Sequence, residues 1–163
     1  MLAYLQAHEG ELVDATDVEL AAMAESVLGA RADRLLARIG RLQHRKGAIG
    51  PNVNSTTWGI LALRQAGRRA PRGAVRYLLR HQARSGGWSW YAGVQPDSND
   101  TAAAVEALRA AGVKGRPIRR ALAYLRRLRR PDGSFRYSAT YVTTPVWVTS
   151  QVLPALGRRS FPL

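Results

Sequence analysis

The stretch PNVNSTTWGILALRQAG, residues 51–67, recurs without a gap as PDSNDTAAAVEALRAAG, residues 96–112. Eight of the 17 positions are identical: Pro51/Pro96, Asn54/Asn99, Thr56/Thr101, Ala62/Ala107, Leu63/Leu108, Arg64/Arg109, Ala66/Ala111 and Gly67/Gly112. The sequence after each copy repeats as well. AVRYLLRHQARSGGWSW (74–90) aligns on ALAYLRRLRRPDGSFRY (121–137), pairing Tyr77 with Tyr124, Gly86 with Gly133 and Trp88 with Phe135. A degenerate earlier copy runs from Thr16 to Ile49 and ends in QHRKGAI (43–49). A last half-copy, TSQVLPAL (149–156), matches TAAAVEAL (101–108), and the opening LAYLQAHEG echoes the ALAYLRR segment.

Each copy reads as two helices. The first has a polar start (Asn54 or Ser55; Asn99 or Asp100), a body of small residues and a terminating Gly67 or Gly112. The second is faced with Arg and runs into a Gly-aromatic loop. A helical hairpin of roughly 40–45 residues cannot bury its apolar face alone, so neighbours must stack. The expected fold is all-α, with about seven helices alternating between two layers in one domain over residues 1–163. The expected units are 1–15 (partial), 16–50, 51–95, 96–142 and 143–163 (partial).

Composition narrows the function. The 163 residues include no Cys, which excludes thiolate metal sites, disulfide scaffolds and cysteine nucleophiles. The net charge is +14, from 25 basic residues of which 23 are Arg. Residues 1–33 carry a net −6 and residues 34–163 a net +20. Nucleic-acid binding is the first idea such a charge suggests. The pattern favours a solvated surface instead. Arg34, Arg38, Arg41 and Arg45 sit opposite Leu35, Leu36, Ile39 and Leu42, and Arg72, Arg76 and Arg80 opposite Val75, Leu78 and Leu79. No nucleic-acid-binding motif is present, so no specific nucleic-acid partner is expected. No apolar run is long enough for a membrane span, and the first residues do not read as a signal peptide. A soluble chain is expected, with its compartment unassigned; export would follow if further repeats and a signal peptide preceded Met1.

The loop QARSGGW (82–88) has the form Q-x3-G-x-W, with Tyr77-Leu78 before it. It resembles the QW repeat of the squalene–hopene cyclase and terpene cyclase family, within the α/α-toroid superfamily that includes protein prenyltransferases. RPDGSFRY (130–137) is a second copy with Arg129 in the glutamine position, and QHRKGAI a third with Ile49 in the aromatic position. The resemblance implies an α/α-toroid and gives Gln43, Gly47, Gln82, Gly86, Trp88, Gly133 and Phe135 structural roles. The toroids it resembles close with about six hairpins, so this chain would form an incomplete ring. Closure would need self-association or further N-terminal repeats.

Class II terpene cyclases protonate an alkene with the middle Asp of D-x-D-D-T-A. Here the corresponding run is Asp97-Ser98-Asn99-Asp100-Thr101-Ala102, with Asn99 in the acid's place. An amide has no carboxyl proton to give. Asp97 and Asp100 remain as candidate acids, but Asp97 follows Pro96 in a turn and Asp100 sits at a helix N-terminus, so a capping role is the favoured reading. His8, His44 and His81 are scattered, so no metal site and no cofactor are expected. The resemblance implies helices lining a central cavity, for which Trp58, Trp90, Tyr91, Tyr137, Tyr141 and Trp147 are candidate lining residues. The expected function is a non-catalytic repeat module binding an apolar isoprenoid- or corrinoid-like ligand or a protein partner on its concave side. A part of a class II terpene cyclase acting on a polyprenyl substrate is the alternative.

Overall fold

In the computed structural model, which describes residues 1–157, helices account for all regular structure except isolated β-bridges. Among the described residues there are eight α-helices: α1 Leu2–Ala7, α2 Ala15–Val27, α3 Asp33–Arg41, α4 Val53–Gln65, α5 Arg72–Arg80, α6 Ser98–Ala110, α7 Arg116–Arg127 and α8 Pro145–Leu156. A 3-10 turn, Glu9–Glu11, separates the short α1 from α2, and the number of helices agrees with the expected seven or so.

The helices alternate between two rows. α2, α4, α6 and α8 pack on one another in series as a first row, while α3, α5 and α7 each bridge two successive first-row helices. Composition explains the division. Along α6, Ser98 and Asp100–Leu108 are all buried, because small Ser, Thr and Ala side chains admit neighbours on every side. The second row is amphipathic, with Leu35, Leu36 and Ile39 of α3, Ala74 and Leu78 of α5, and Ile118, Ala121, Tyr124 and Leu125 of α7 turned into the core. Most of their arginines face solvent. Arg38 is an exception: its guanidinium donates to the carbonyls of Glu9 (2.8 Å) and Leu12 (2.7 Å) and so anchors the 3-10 turn.

The repeat is present atom by atom. The backbone N–H groups of Ile49, Trp88 and Phe135 donate to the hydroxyls of Thr56 (3.1 Å), Thr101 (2.9 Å) and Thr149 (3.0 Å). Each turn is thereby tied to the start of the next first-row helix. First-row helices end alike too. Gly29, Gly67 and Gly112 take positive φ, and the N–H of Ala30, Arg68 and Val113 reaches back to the carbonyl of Glu25, Leu63 and Leu108. The helix starts differ from expectation. The N-caps are Asn52 and Asp97, two or three residues ahead of the residues expected, because their side chains reach the N–H of Ser55 and Asp100, both at 2.8 Å.

Gly47, Gly86 and Gly133 occupy equivalent turns with φ of 98°, 100° and 86°. Trp88 behind the middle turn is fully buried and donates its indole N–H to the Leu78 carbonyl at 2.8 Å. Gln82 donates to the carbonyls of Gly86 (2.8 Å) and Pro117 (2.9 Å), joining that turn to α7. Ile49 and Phe135 fill the same buried position. Gln43, by contrast, is exposed. A Cβ on Gly86 would lie 2.6 Å from the Arg120 carbonyl oxygen, whereas one on Gly133 would meet nothing within 4 Å. Both Gly→Ala changes incur left-handed strain of about 1–2 kcal/mol. Gly86→Ala carries a backbone clash besides, so urea denaturation should show it to be the more destabilising of the two by at least about 1 kcal/mol.

Candidate functional site

The N-terminus of α6 gathers four buried polar side chains, Asp97, Ser98, Asp100 and Thr101. The Trp88 carbonyl accepts from the N–H of Asp97 at 2.9 Å on one side, and the Tyr137 carbonyl from Ser98 at 2.7 Å on the other. Two carboxyls are thus drawn inside, Asp97 only 3% exposed and Asp100 5%. Asp97 caps the helix. Asp100, in the first turn, accepts 2.7 Å from the Asn54 amide on the neighbouring α4. The Tyr124 hydroxyl closes the group from the second row by donating to the Pro96 carbonyl at 2.5 Å.

Both carboxyls hold their protons above the usual carboxylate range. Burial, then the adjacent Asp100, pushes Asp97 up to about 8. Burial also raises Asp100, against the opposing hydrogen bonds from Asp97 and Asn54. The cluster therefore keeps a carboxyl proton near neutral pH, held in the helix cap. Asn99, in the position of the missing acid, is half-buried and its Oδ1 has no hydrogen-bond partner; the Asn54 Oδ1 is likewise unpartnered. The position in α8 equivalent to Asp100 is Val148, which has no polar atom to offer the Asn99 amide.

A third carboxyl was not among the candidates read from sequence. Glu19 of α2 is fully buried with neither oxygen hydrogen-bonded, and burial raises it to about 9. It packs on Gly59 of α4, where an added Cβ would lie 3.0 Å from Oε1. Nothing in its neighbours Val18 and Leu20 marks it in the sequence. Asn54 had a signal, since it repeats as Asn99, but its pairing with Asp100 depends on how α4 and α6 pack.

The aromatic candidates divide by exposure. Trp58 and Tyr137 are half-buried against the core, whereas Trp90, Tyr91, Tyr141 and Trp147 are exposed. The exposed ones share an end of the first row. The Trp90 carbonyl accepts from the first N–H of α4, and Trp147 lies in the first turn of α8. The Thr140 hydroxyl donates to Gln95 Oε1 at 3.0 Å and ties the Tyr141 loop to the Trp90–Tyr91 loop. Val94, Val142 and Val146 are exposed beside them in sequence. The cavities formed around Arg45–His81, Gln6–Arg34, Ser26–Arg68 and Val13–Leu42 include none of these aromatics. Among the described residues no cluster of His, Asp or Glu could hold a metal ion, and no helix is long and apolar enough to cross a membrane.

No protein-family model matches the chain, and no curated protein matches its sequence.

The buried carboxyls set a pH dependence. Glu19 and Asp97 keep protons in the folded chain that an unfolded chain releases from about pH 4 upward. Their contribution to stability is fully present below that pH and is lost as pH rises through about 8–9. Glu19→Met removes the larger cause without changing volume much. It should raise stability by at least about 1 kcal/mol at pH 8, and by less at pH 5, in urea denaturation at the two pH values.

Proposed function

We propose that this chain is an α/α-toroid repeat module of the squalene cyclase and prenyltransferase type that binds rather than catalyses. Its ligand is apolar, isoprenoid- or corrinoid-like, or an apolar segment of a partner. The observation carrying this reading is the exposed aromatic rim of Trp90, Tyr91, Tyr141 and Trp147 at one end of the first row. Aromatics of this size stay exposed at a cost in apolar hydration, and grouped patches of them mark interaction sites. The Val53 N–H at the start of α4 donates to the Trp90 carbonyl and the Thr140 hydroxyl to Gln95 Oε1, which ties the two loops down, so little ordering is needed on binding.

A specific observation also favours the second reading, a part of a class II terpene cyclase-like enzyme. Asp97 keeps a proton near neutral pH, as a general acid must. Against it, an Asp97 oxygen is engaged in capping α6 and the side chain is sealed from solvent.

Calorimetric titration with farnesol and with a corrinoid separates the two readings. Saturable binding that Trp90→Ala or Tyr141→Ala weakens roughly tenfold, with an unchanged melting temperature, is expected for the rim. The second reading requires a cyclised product from squalene or geranylgeranyl diphosphate that Asp97→Asn abolishes. Asn caps a helix as well as Asp does, so that variant stays folded.

A further inference from the structure

The second row carries a cavity of about 570 Å³ where the 44–47 turn meets α5, and none of the rim aromatics lines it. Arg45, Lys46, Arg76 and Arg80 line it together with Tyr77 and His81, and no carboxylate does. None of those four cations forms an ion pair with a carboxylate among the described residues.

In the next repeat an arginine spans the equivalent seam. There the 83–86 turn meets α7, and Arg120 donates to the carbonyls of Ala83 (3.0 Å) and Arg84 (2.8 Å). Arg127 donates to the Ser85 carbonyl at 2.8 Å, as its counterpart Arg80 does to Lys46 at 2.9 Å. In the first seam the residue equivalent to Arg120 is Gly73. The guanidinium that fills the second seam is therefore missing from the first, and the space is left open. Around that space, Lys46, Arg76 and His81 stand where the second seam has Ser85, Ala123 and Leu128. Two cations and an imidazole thus line the seam that lacks the arginine.

We propose that the seam of the 44–47 turn with α5 is a binding site for a small phosphorylated anion bearing two or more phosphate charges. Four unpaired cations around one cavity repel one another, and a multiply charged anion relieves that repulsion. Arginine forks and a lysine ammonium supply the charge-assisted donors that phosphate oxygens accept. A cavity of this size admits a ligand well beyond a single phosphate group.

The test is calorimetric titration of the whole chain with inorganic pyrophosphate, with Gly73→Arg as the decisive variant. That substitution adds a positive charge yet places a guanidinium in the cavity, as Arg120 does against Gly86 in the next seam. Saturable pyrophosphate binding by the unaltered chain, abolished by Gly73→Arg, is the expected result. Arg76→Ala, a helix-compatible change at an exposed position, should weaken binding roughly tenfold and keeps the test alive if Gly73→Arg fails to fold. Arg116→Ala, outside the cavity, should leave it unchanged. The proposal is overturned if the unaltered chain does not bind, if Gly73→Arg binds as tightly or more tightly, or if Arg116→Ala weakens binding as much as Arg76→Ala. Duplex DNA that binds equally to the unaltered chain and Gly73→Arg, with pyrophosphate failing to compete, would likewise assign the charge to a general surface. A vesicle carrying a phosphoinositide, compared with inorganic pyrophosphate, then distinguishes a lipid headgroup from a free phosphate as the source.

Discussion

Everything in this molecule is hung on one hydrogen bond made three times. The N–H at the turn's buried position, Ile49, Trp88 or Phe135, donates to the threonine hydroxyl at the start of the next first-row helix. That bond satisfies a buried backbone donor, which is costly to leave unpaired. It also sets the register, because the threonine position decides which residue of the turn lies over the helix start. Once the register is set, the side chain behind the turn can only be apolar, and all three occupants are buried. The seam between hairpins is thus a polar clamp backed by an apolar plug.

The two rows follow from what each helix must touch. A first-row helix is flanked by other first-row helices and covered by the second row, so small side chains are favoured, and α6 is the fullest case. Such crowding draws in polar groups as well, since the helix starts carry caps. Asp97, Asp100 and Asn54 meet inside for this reason, and burial raises both carboxyls above the usual carboxylate range. Glu19 has no comparable reason to be inside: no cap and no partner accompany it. Its burial is a stability cost retained within the row.

Much of the architecture is legible along the chain. The 51–67 and 96–112 copies announce hairpins, the glycines at 67 and 112 announce helix ends, and the arginine rows announce a solvated face. Those signals are local, carried by turn chemistry and helical spacing. Helix starts were misplaced by two or three residues because several adjacent polar residues can cap, and only the chain's path selects Asn52 and Asp97. Arg38 belongs to an arginine row along the chain, yet the 3-10 turn lies against it and accepts its hydrogen bonds.

By itself, then, the sequence determined an all-helical chain of stacked hairpins with glycine turns and a basic exterior, since periodicity and turn residues act over a few positions. Only the tertiary structure decided which polar groups are sealed inside, which aromatics remain exposed, and that Gly73 leaves a cavity where Arg120 fills its counterpart. Those outcomes turn on contacts between residues more than 25 positions apart, such as Asn54 with Asp100 and Arg120 with Ala83. A side chain's burial and pairing belong to the packing of helices on one another, and no local pattern encodes it.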